Sequence, residues 1–312
     1  MKRTQNHVAE SRMALPLTAV YAILVWLGCG LLTQQWWIQL ACFAVSTFLV
    51  MVLNNNNVLL RIYSRMVSCS FLVLSCTACF LFSDIKGGFI QFCVIAAYII
   101  LFHCYQDKQT PGWFFYAYLF LGLASTVFIQ MLFFLPIIWI LTATQLNALS
   151  WRTFFASLLG LLTPYWLGVT ALFFRQKNFD FFITHLATLK QFQTLGDYSM
   201  VTLPRLLVFL FVIALALTGT IHFWRTSYND KIRTRQLYGF FMTMTVFTTL
   251  FLLLQPQHYD VLIRIMILNT SPLIAHFIAL THTKWTNIAF YIIISASLLL
   301  TGFNAWTSSL IF

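Results

Sequence analysis

The chain has 312 residues, of which 60% are hydrophobic and 8% are charged, and its formal net charge is +11. Soluble globular domains carry about 25% charged residues, so this composition excludes a water-soluble fold of this size. The basic residues are scattered and accompany no aromatic-basic nucleic-acid motif, so we expect no nucleic-acid partner. They predict contact with anionic membrane lipids instead.

Long apolar runs follow one another along the chain. Stretches such as Leu206–Leu217 are apolar on every face, and in lipid only a helix satisfies the backbone of such a run internally. The sequence predicts an all-α polytopic transmembrane bundle, a single integral membrane domain over residues 1–312. About eleven spans are predicted, at residues 14–32, 36–53, 66–83, 89–105, 113–128, 129–144, 152–174, 205–224, 238–254, 261–281 and 286–310.

The fifth and sixth runs form one uncharged stretch, Trp113–Thr144. As a single helix it would reach about 48 Å, well beyond a hydrocarbon core of about 30 Å. We predict two short helices that turn near residues 128–130. A single helix, tilted or kinked at Pro136, is the alternative and gives ten spans.

The distribution of Lys and Arg predicts the orientation. Eleven spans with the N-terminus inside place twelve of these cations inside and six outside, whereas ten spans give eleven and seven. The positive-inside rule therefore predicts a cytoplasmic N-terminus and favours eleven spans. The first apolar run has no small-residue cleavage site after it, so we predict an uncleaved first helix.

The first candidate site lies on the predicted outer face. Residues 175–204 form the one long loop, and its spacing of apolar residues predicts an amphipathic segment on the outer leaflet. Arg264 lies inside the tenth run, where an ionisable residue is a functional candidate. Arginines match phosphate oxygens, and a carboxylate can act as a base toward a sugar hydroxyl. The predicted substrate-binding residues are Lys190, Arg205 and Arg264, and the predicted catalytic residues are Asp180 and Asp197.

The second candidate site is the middle of the tenth run. Asn269, Thr270, Ser271 and His276 are polar residues around Pro272, which removes a helix hydrogen bond. Broken helices build midplane sites in many transporters, and the alternative is hydrogen bonding between helices. The sequence contains no nucleotide-binding loop and no histidine pair at metal-ligand spacing, so we predict no cofactor and no metal.

Several short motifs carry a resemblance to a known family. They are Gly122-Leu-Ala-Ser125, Phe133-Phe-Leu-Pro136, Arg152, Leu159-Gly-Leu-Leu-Thr-Pro-Tyr165, Ser271-Pro272 and Thr281-His282. In these motifs the chain resembles an uncharacterised multi-pass inner-membrane family of Bacteroidota, which implies the bacterial inner (cytoplasmic) membrane and brings no catalytic residues. It is more remotely similar, over Trp113–Thr144, to membrane polymerases of lipid-linked oligosaccharides.

Two hypotheses of function follow. The first is an envelope-glycan or lipid-linked sugar polymerase or transferase that uses the outer loop, with a lipid-linked glycan as its partner. The second is a non-enzymatic protein, either a carrier or a membrane subunit of a cell-envelope assembly. An enzyme requires the outer arginines to converge near a carboxylate, whereas a carrier requires a midplane cavity near Asn269 and Pro272. A tightly packed midplane with few polar groups would exclude the carrier.

Overall fold

A computed structural model describes residues 3–176, 180–190, 192, 198, 199 and 201–309. All regular secondary structure in these residues is helical, which confirms the all-α prediction. Five short 3-10 helices accompany the α-helices, at Cys79–Leu81, Ile129–Phe134, Thr188–Lys190, Ser227–Asn229 and Pro256–His258. The α-helices are α1 (Thr4–Glu10), α2 (Ala14–Gly28), α3 (Leu31–Gln34), α4 (Trp37–Asn57), α5 (Met66–Thr77), α6 (Ile85–His103), α7 (Pro111–Val127), α8 (Leu135–Thr144), α9 (Trp151–Gln176), α10 (Asp180–Ala187), α11 (Leu203–Thr226), α12 (Ile232–Leu254), α13 (Tyr259–Leu280) and α14 (Lys284–Ser309).

Seven helices of the described chain are long and apolar enough to cross a membrane, and eight if the bent pair α1–α2 counts as one span. Each of the eleven predicted runs falls on a helix, but four of those helices have fewer than 18 residues. The helices α2, α5, α7 and α8 have 15, 12, 17 and 10 residues. Fewer helices than predicted runs are long enough to cross a membrane, because an apolar run can contain a break. The third run, 66–83, is broken where α5 ends before Ala78.

The break predicted inside Trp113–Thr144 is confirmed. Helix α7 ends at Val127, and Phe128 is extended, with φ −134° and ψ 93°. The chain then turns back through a 3-10 helix into α8. The Tyr118 and Trp139 rings stack with their centroids 6.1 Å apart, so α7 and α8 lie side by side.

The chain groups into two compact units. Unit 1 combines the two ends of the chain, Met1–Gly88 and Tyr198–Phe312, and unit 2 is the continuous segment Phe89–Asp197. The single domain over residues 1–312 stays a prediction.

Helix α13 is the centre of unit 1. It packs against α5, α11, α12 and α1, and most of its side chains are buried. The approach of α11 is close because Gly219 has no side chain: a Cβ there would lie 2.6 Å from the carbonyl carbon of Leu273. Small residues permit such backbone contact between membrane helices.

Hydrogen bonds join four segments at one end of unit 1, which we call the α1 end. The side chain of Gln5 donates to the Ile278 carbonyl at 2.7 Å, which ties α1 to the last turns of α13. The Ser64 hydroxyl donates to the Ala9 carbonyl at 2.6 Å, and this brings in the segment between α4 and α5. Arg233 lies in the first turn of α12 and donates to the Asn57 side chain at 2.8 Å, which joins α12 to the end of α4. Helix α1 meets α2 at 91°.

Unit 2 is built on α7 and α9, which run parallel. Ser150, before α9, donates to the carbonyl of Lys108, before α7, at 3.0 Å. Near the other end of the pair the Tyr165 hydroxyl donates to the Ser125 hydroxyl at 2.8 Å. The predicted outer loop contains α10, where His185 lies 3.2 Å from the Ser125 carbonyl. The position of α10 on a leaflet stays a prediction.

Candidate functional site

The predicted outer-face residues belong to both units. Asp180 opens α10 and Lys190 is the exposed last residue of a 3-10 helix, both in unit 2. Arg205 and Arg264 belong to unit 1. Asp197 lies outside the described residues. The site geometry therefore starts from the two arginines.

Arg205 lies in the first turn of α11 and pairs with Asp260 in the first turn of α13. Its Nη2 is 3.0 and 3.1 Å from the two carboxylate oxygens. The Tyr259 hydroxyl donates to the Arg205 carbonyl at 2.6 Å, and the Tyr259 ring centre lies 5.7 Å from the guanidinium carbon. The side chains of Arg205 and Asp260 stay 28% and 42% exposed, so this pair lies at the surface of unit 1.

Arg264 lies one turn further along α13, and its side chain is only 12% exposed. Its Nη2 donates to the carbonyls of Leu81 and Asp84 and lies 4.0 Å from the Asp84 carboxylate. Arg264 therefore binds the segment that connects α5 to α6.

Arg205, Arg264, Asp84 and Asp260 form one group, the Arg–Asp cluster, at the end of unit 1 opposite the α1 end. Asp260 interacts electrostatically with both arginines and with Asp84. Two cations thus face two anions, and the cluster is charge-balanced. A diphosphate bound here would compete with the carboxylates for the guanidinium groups. Asp84 and Asp260 were not predicted from the sequence; their only signal is a position directly before α6 and in the first turn of α13, respectively.

The second candidate region is fully buried. Asn269, Thr270 and Ser271 have no exposed surface. The Asn269 amide donates to the Ile265 carbonyl at 2.8 Å, but its Oδ1 and the Thr270 hydroxyl have no hydrogen-bond partner. Buried polar atoms without partners are costly, and each such atom in a native structure needs an explanation. The middle of α13 therefore combines polar atoms without partners with tight packing, and the expected midplane cavity does not open onto these three residues.

A chain of ionisable side chains lies at the α1 end, and we call it the His–Asp row. Arg61 Nε is 2.7 Å from Asp230 Oδ1, and Asp230 Oδ2 is 3.1 Å from His276 Nε2. His276 Nδ1 is in turn 3.2 Å from His222 Nδ1. The Asp230 and His276 side chains are 1% and 0% exposed, whereas Arg61 is 35% exposed. The row thus leads from a partly exposed cation through two buried side chains to the half-buried His222.

Aromatic rings enclose the row. The Phe223 and Tyr238 rings stack at 4.5 Å, and both meet the His276 ring edge-on at 5.1 Å. The Tyr238 hydroxyl donates to the carbonyl of Pro272 at 3.3 Å. Because Pro272 lies inside α13, this bond holds α12 against the part of the helix that proline weakens.

The distances in the row define its proton chemistry. His276 Nε2–H donates to Asp230, so His276 Nδ1 and His222 Nδ1 share a single proton. If His222 carries its own proton on Nε2, the ring that holds the shared proton is an imidazolium and the other ring is neutral. The row can therefore hold one proton and pass it between two rings.

Sequence reasoning identified only one member of the row as a site residue, His276. His222 was placed at a span end, and Arg61 and the basic segment 225–235 were assigned only to orientation. Asp230 carried a signal, since it is the one acidic residue among four cations in that segment. No group of three or more His, Cys, Asp or Glu in the described chain is arranged to hold a metal ion.

Comparison of the chain with protein-family models, with curated proteins and with solved structures finds no match in any of the three. The helices themselves define the class: the chain is a multi-pass helical integral membrane protein. Membrane lipids are therefore its surroundings.

Proposed function

We propose that the protein is a proton-coupled carrier. The observation that carries this proposal is the His–Asp row, in which Asp230 and His276 are buried at the α1 end of unit 1. Buried ionisable groups are costly, and chains of Asp and His mark proton relays in pumps and transporters. A purely structural contact between α11 and α13 could be made by apolar side chains at no such cost.

The helices around the row support a carrier as well. Helix α5 covers about 18 Å, so it ends well inside a hydrocarbon core of about 30 Å. Its neighbour α13 contains Pro272 and the buried Asn269 and Thr270. Short or interrupted helices with polar groups at mid-depth form the substrate sites of many transporters.

The proposal includes the orientation and the span count. We place the α1 end in the cytoplasm and the protein in the bacterial inner membrane. The ion pair of Arg61 with Asp230 brings the segments before α5 and after α11 to the same end of unit 1. An even number of crossings must then separate them. Eleven spans give six crossings between these residues and ten spans give five, which favours eleven.

Everted membrane vesicles test the carrier. A pH-sensitive acridine dye reports proton movement when solutes are added singly from a panel of organic acids, amino acids, sugars and inorganic ions. We expect at least one class of solute to move protons in wild-type vesicles, and His276→Gln and Asp230→Asn to abolish this. His282→Gln is the matched control, since His282 is exposed at the same end of unit 1. Wild-type vesicles that behave like empty ones for the whole panel would contradict the proposal.

A second candidate function is the lipid-linked sugar polymerase or transferase. It is favoured by one observation, that Arg205 and Arg264 lie close to each other around Asp260. The roles of Lys190 as a further cation and of Asp180 or Asp197 as the base stay predictions. Purified protein would extend a diphosphate-linked lipid oligosaccharide, and Arg205→Gln would lose that activity. Absence of longer products with wild-type protein counts against this candidate.

A membrane subunit of a cell-envelope assembly is the remaining alternative. The resemblance to the Bacteroidota family implies an inner-membrane location for each of these three functions and assigns a role to no residue.

A further inference from the structure

A groove runs along one side of unit 1, between α2 and α14, and has a volume of about 340 Å³. Almost all atoms that line it are apolar. Its floor is made by α5, α11 and α13, with Val73, Leu215 and Ile274 among the lining residues. Because these are membrane helices, the groove lies within the bilayer.

Both ends of the groove are closed. Helix α1, which crosses the start of α2 at 91°, contributes Thr4 and Val8 at one end. At the other end the Tyr21 hydroxyl donates to the Thr301 hydroxyl at 2.9 Å, which joins α2 to α14. The groove opens sideways, since Leu17 on one edge is 72% exposed and Tyr291 on the other is 49% exposed.

The length of the groove fits one leaflet. It extends from Met66 to Leu74 on α5 and from Phe290 to Ser297 on α14, which is about 10–12 Å of helix. Half of a hydrocarbon core is about 15 Å thick. The closed end beyond Ser297 therefore lies near the middle of the bilayer, and the end at α1 lies near the headgroups.

The charges at the headgroup end are positive. Arg12 is exposed and stands between Val8 and Ala14, which both line the groove. Two carboxylates of the described chain lie at this end: Glu10, two residues before Arg12, and Asp230, which is paired with Arg61. Nine described cations share the α1 end: Arg3, Arg12, Arg61, Arg65, Arg225, Lys231, Arg233, Arg235 and Lys284.

We infer that this groove binds one acyl chain of an anionic phospholipid, whose phosphate lies against Arg12. The apolar lining suits an acyl chain, and the positive charges at the α1 end suit an anionic headgroup. The site is independent of the proposed transport activity.

Native mass spectrometry of the delipidated full chain in detergent tests this inference. The probes are phosphatidylglycerol and phosphatidylcholine with identical acyl chains. We expect one phosphatidylglycerol to bind more tightly than phosphatidylcholine. Arg12→Gln should weaken the binding of phosphatidylglycerol about fivefold, which corresponds to the about 1 kcal/mol that a cation near the headgroups contributes. Arg152→Gln removes an exposed cation from unit 2 and should change nothing.

A second pair of variants tests the groove itself. Leu17→Trp places a bulky ring at the edge of the opening and should weaken binding more than tenfold, since each buried methylene that is lost costs about 0.8 kcal/mol. Leu24→Trp is the matched control, because Leu24 is an exposed residue of the same helix outside the groove. If Leu17→Trp fails to elute as a folded monodisperse species, Ile294→Trp at the facing edge replaces it.

The inference requires both effects. Equal binding of the two lipids by wild type would overturn it, because the lipids would then form only a general shell. Equal effects of Leu17→Trp and Leu24→Trp on lipid binding would show that the acyl chain does not lie in the groove. Unchanged binding of phosphatidylglycerol by Arg12→Gln would show that Arg12 does not bind the phosphate.

Discussion

Replacement of Asp230 by Asn tests the energetic role of the His–Asp row. Asn keeps the shape of the side chain but leaves Arg61 without the anion 2.7 Å away. Loss of one partner of a buried ion pair costs about 3–5 kcal/mol. Arg61 keeps 35% exposure and can regain some hydration, so we expect the lower end, about 3 kcal/mol. At about 2–4 °C per kcal/mol, the melting temperature should fall by about 6–12 °C.

A thiol-reactive dye measures this in detergent, because six of the seven cysteines are buried and react only on unfolding. The control is Asp107→Asn. Asp107 is an exposed carboxylate that accepts a hydrogen bond from the backbone N–H of Gln109 at 2.8 Å, so this substitution should cost less than about 1 kcal/mol. A double-mutant cycle with Arg61→Met should give a coupling energy of about 0.5–3 kcal/mol. The reasoning is refuted if Asp230→Asn melts within about 1 °C of wild type, or if the two changes are additive.

Other variants test the helix packing and the Arg–Asp cluster. Gly122→Ala should cost about 1–3 kcal/mol of stability, because its Cβ would lie 2.7 Å from the Leu161 carbonyl oxygen. Gly112→Ala is the control, since nothing lies within 4 Å of a Cβ at that position. Equal melting temperatures of the two variants would contradict the prediction. Arg264→Gln should cost about 1–3 kcal/mol, since it leaves buried carbonyls without their donor. Arg205→Gln removes a partly exposed ion pair and should cost less than about 1 kcal/mol in the same melting assay. A larger fall in melting temperature for Arg205→Gln than for Arg264→Gln would contradict the contacts assigned to the two arginines.

The helices could be predicted from the sequence where composition alone decides them. The predicted run 238–254 contains no charge and no proline, and α12 continues through all of it. The turn at Phe128 followed from a length argument, since 32 residues exceed one span. The end of α5 could not be predicted, because no Gly or Pro marks Ala78 and the carbonyl of Thr77 is satisfied by Asn304 from the far end of the chain.

The candidate site was predicted only in part, for the same reason. Arg264 stood out because it is a charge inside an apolar run. Its partner Asp84 is 180 residues away in the sequence, and no local pattern joins the two. His276 and His222 were likewise visible as single residues, but only the packing of α11 against α13 makes them neighbours. Sequence pattern gives the depth of a residue in the membrane more readily than its partner.

The division of unit 1 between the two ends of the chain sets the order of events during synthesis. The Asn304 amide that completes the end of α5 donates to Thr77 across 227 residues. Chains grow at about 5–20 residues per second, so the first 88 residues wait in the membrane for about 5–20 s before residue 198 is made. Unit 2 is continuous and can assemble during that interval. The first helices therefore remain half-assembled until α14 emerges from the ribosome, and this is when they are most exposed to quality-control proteases.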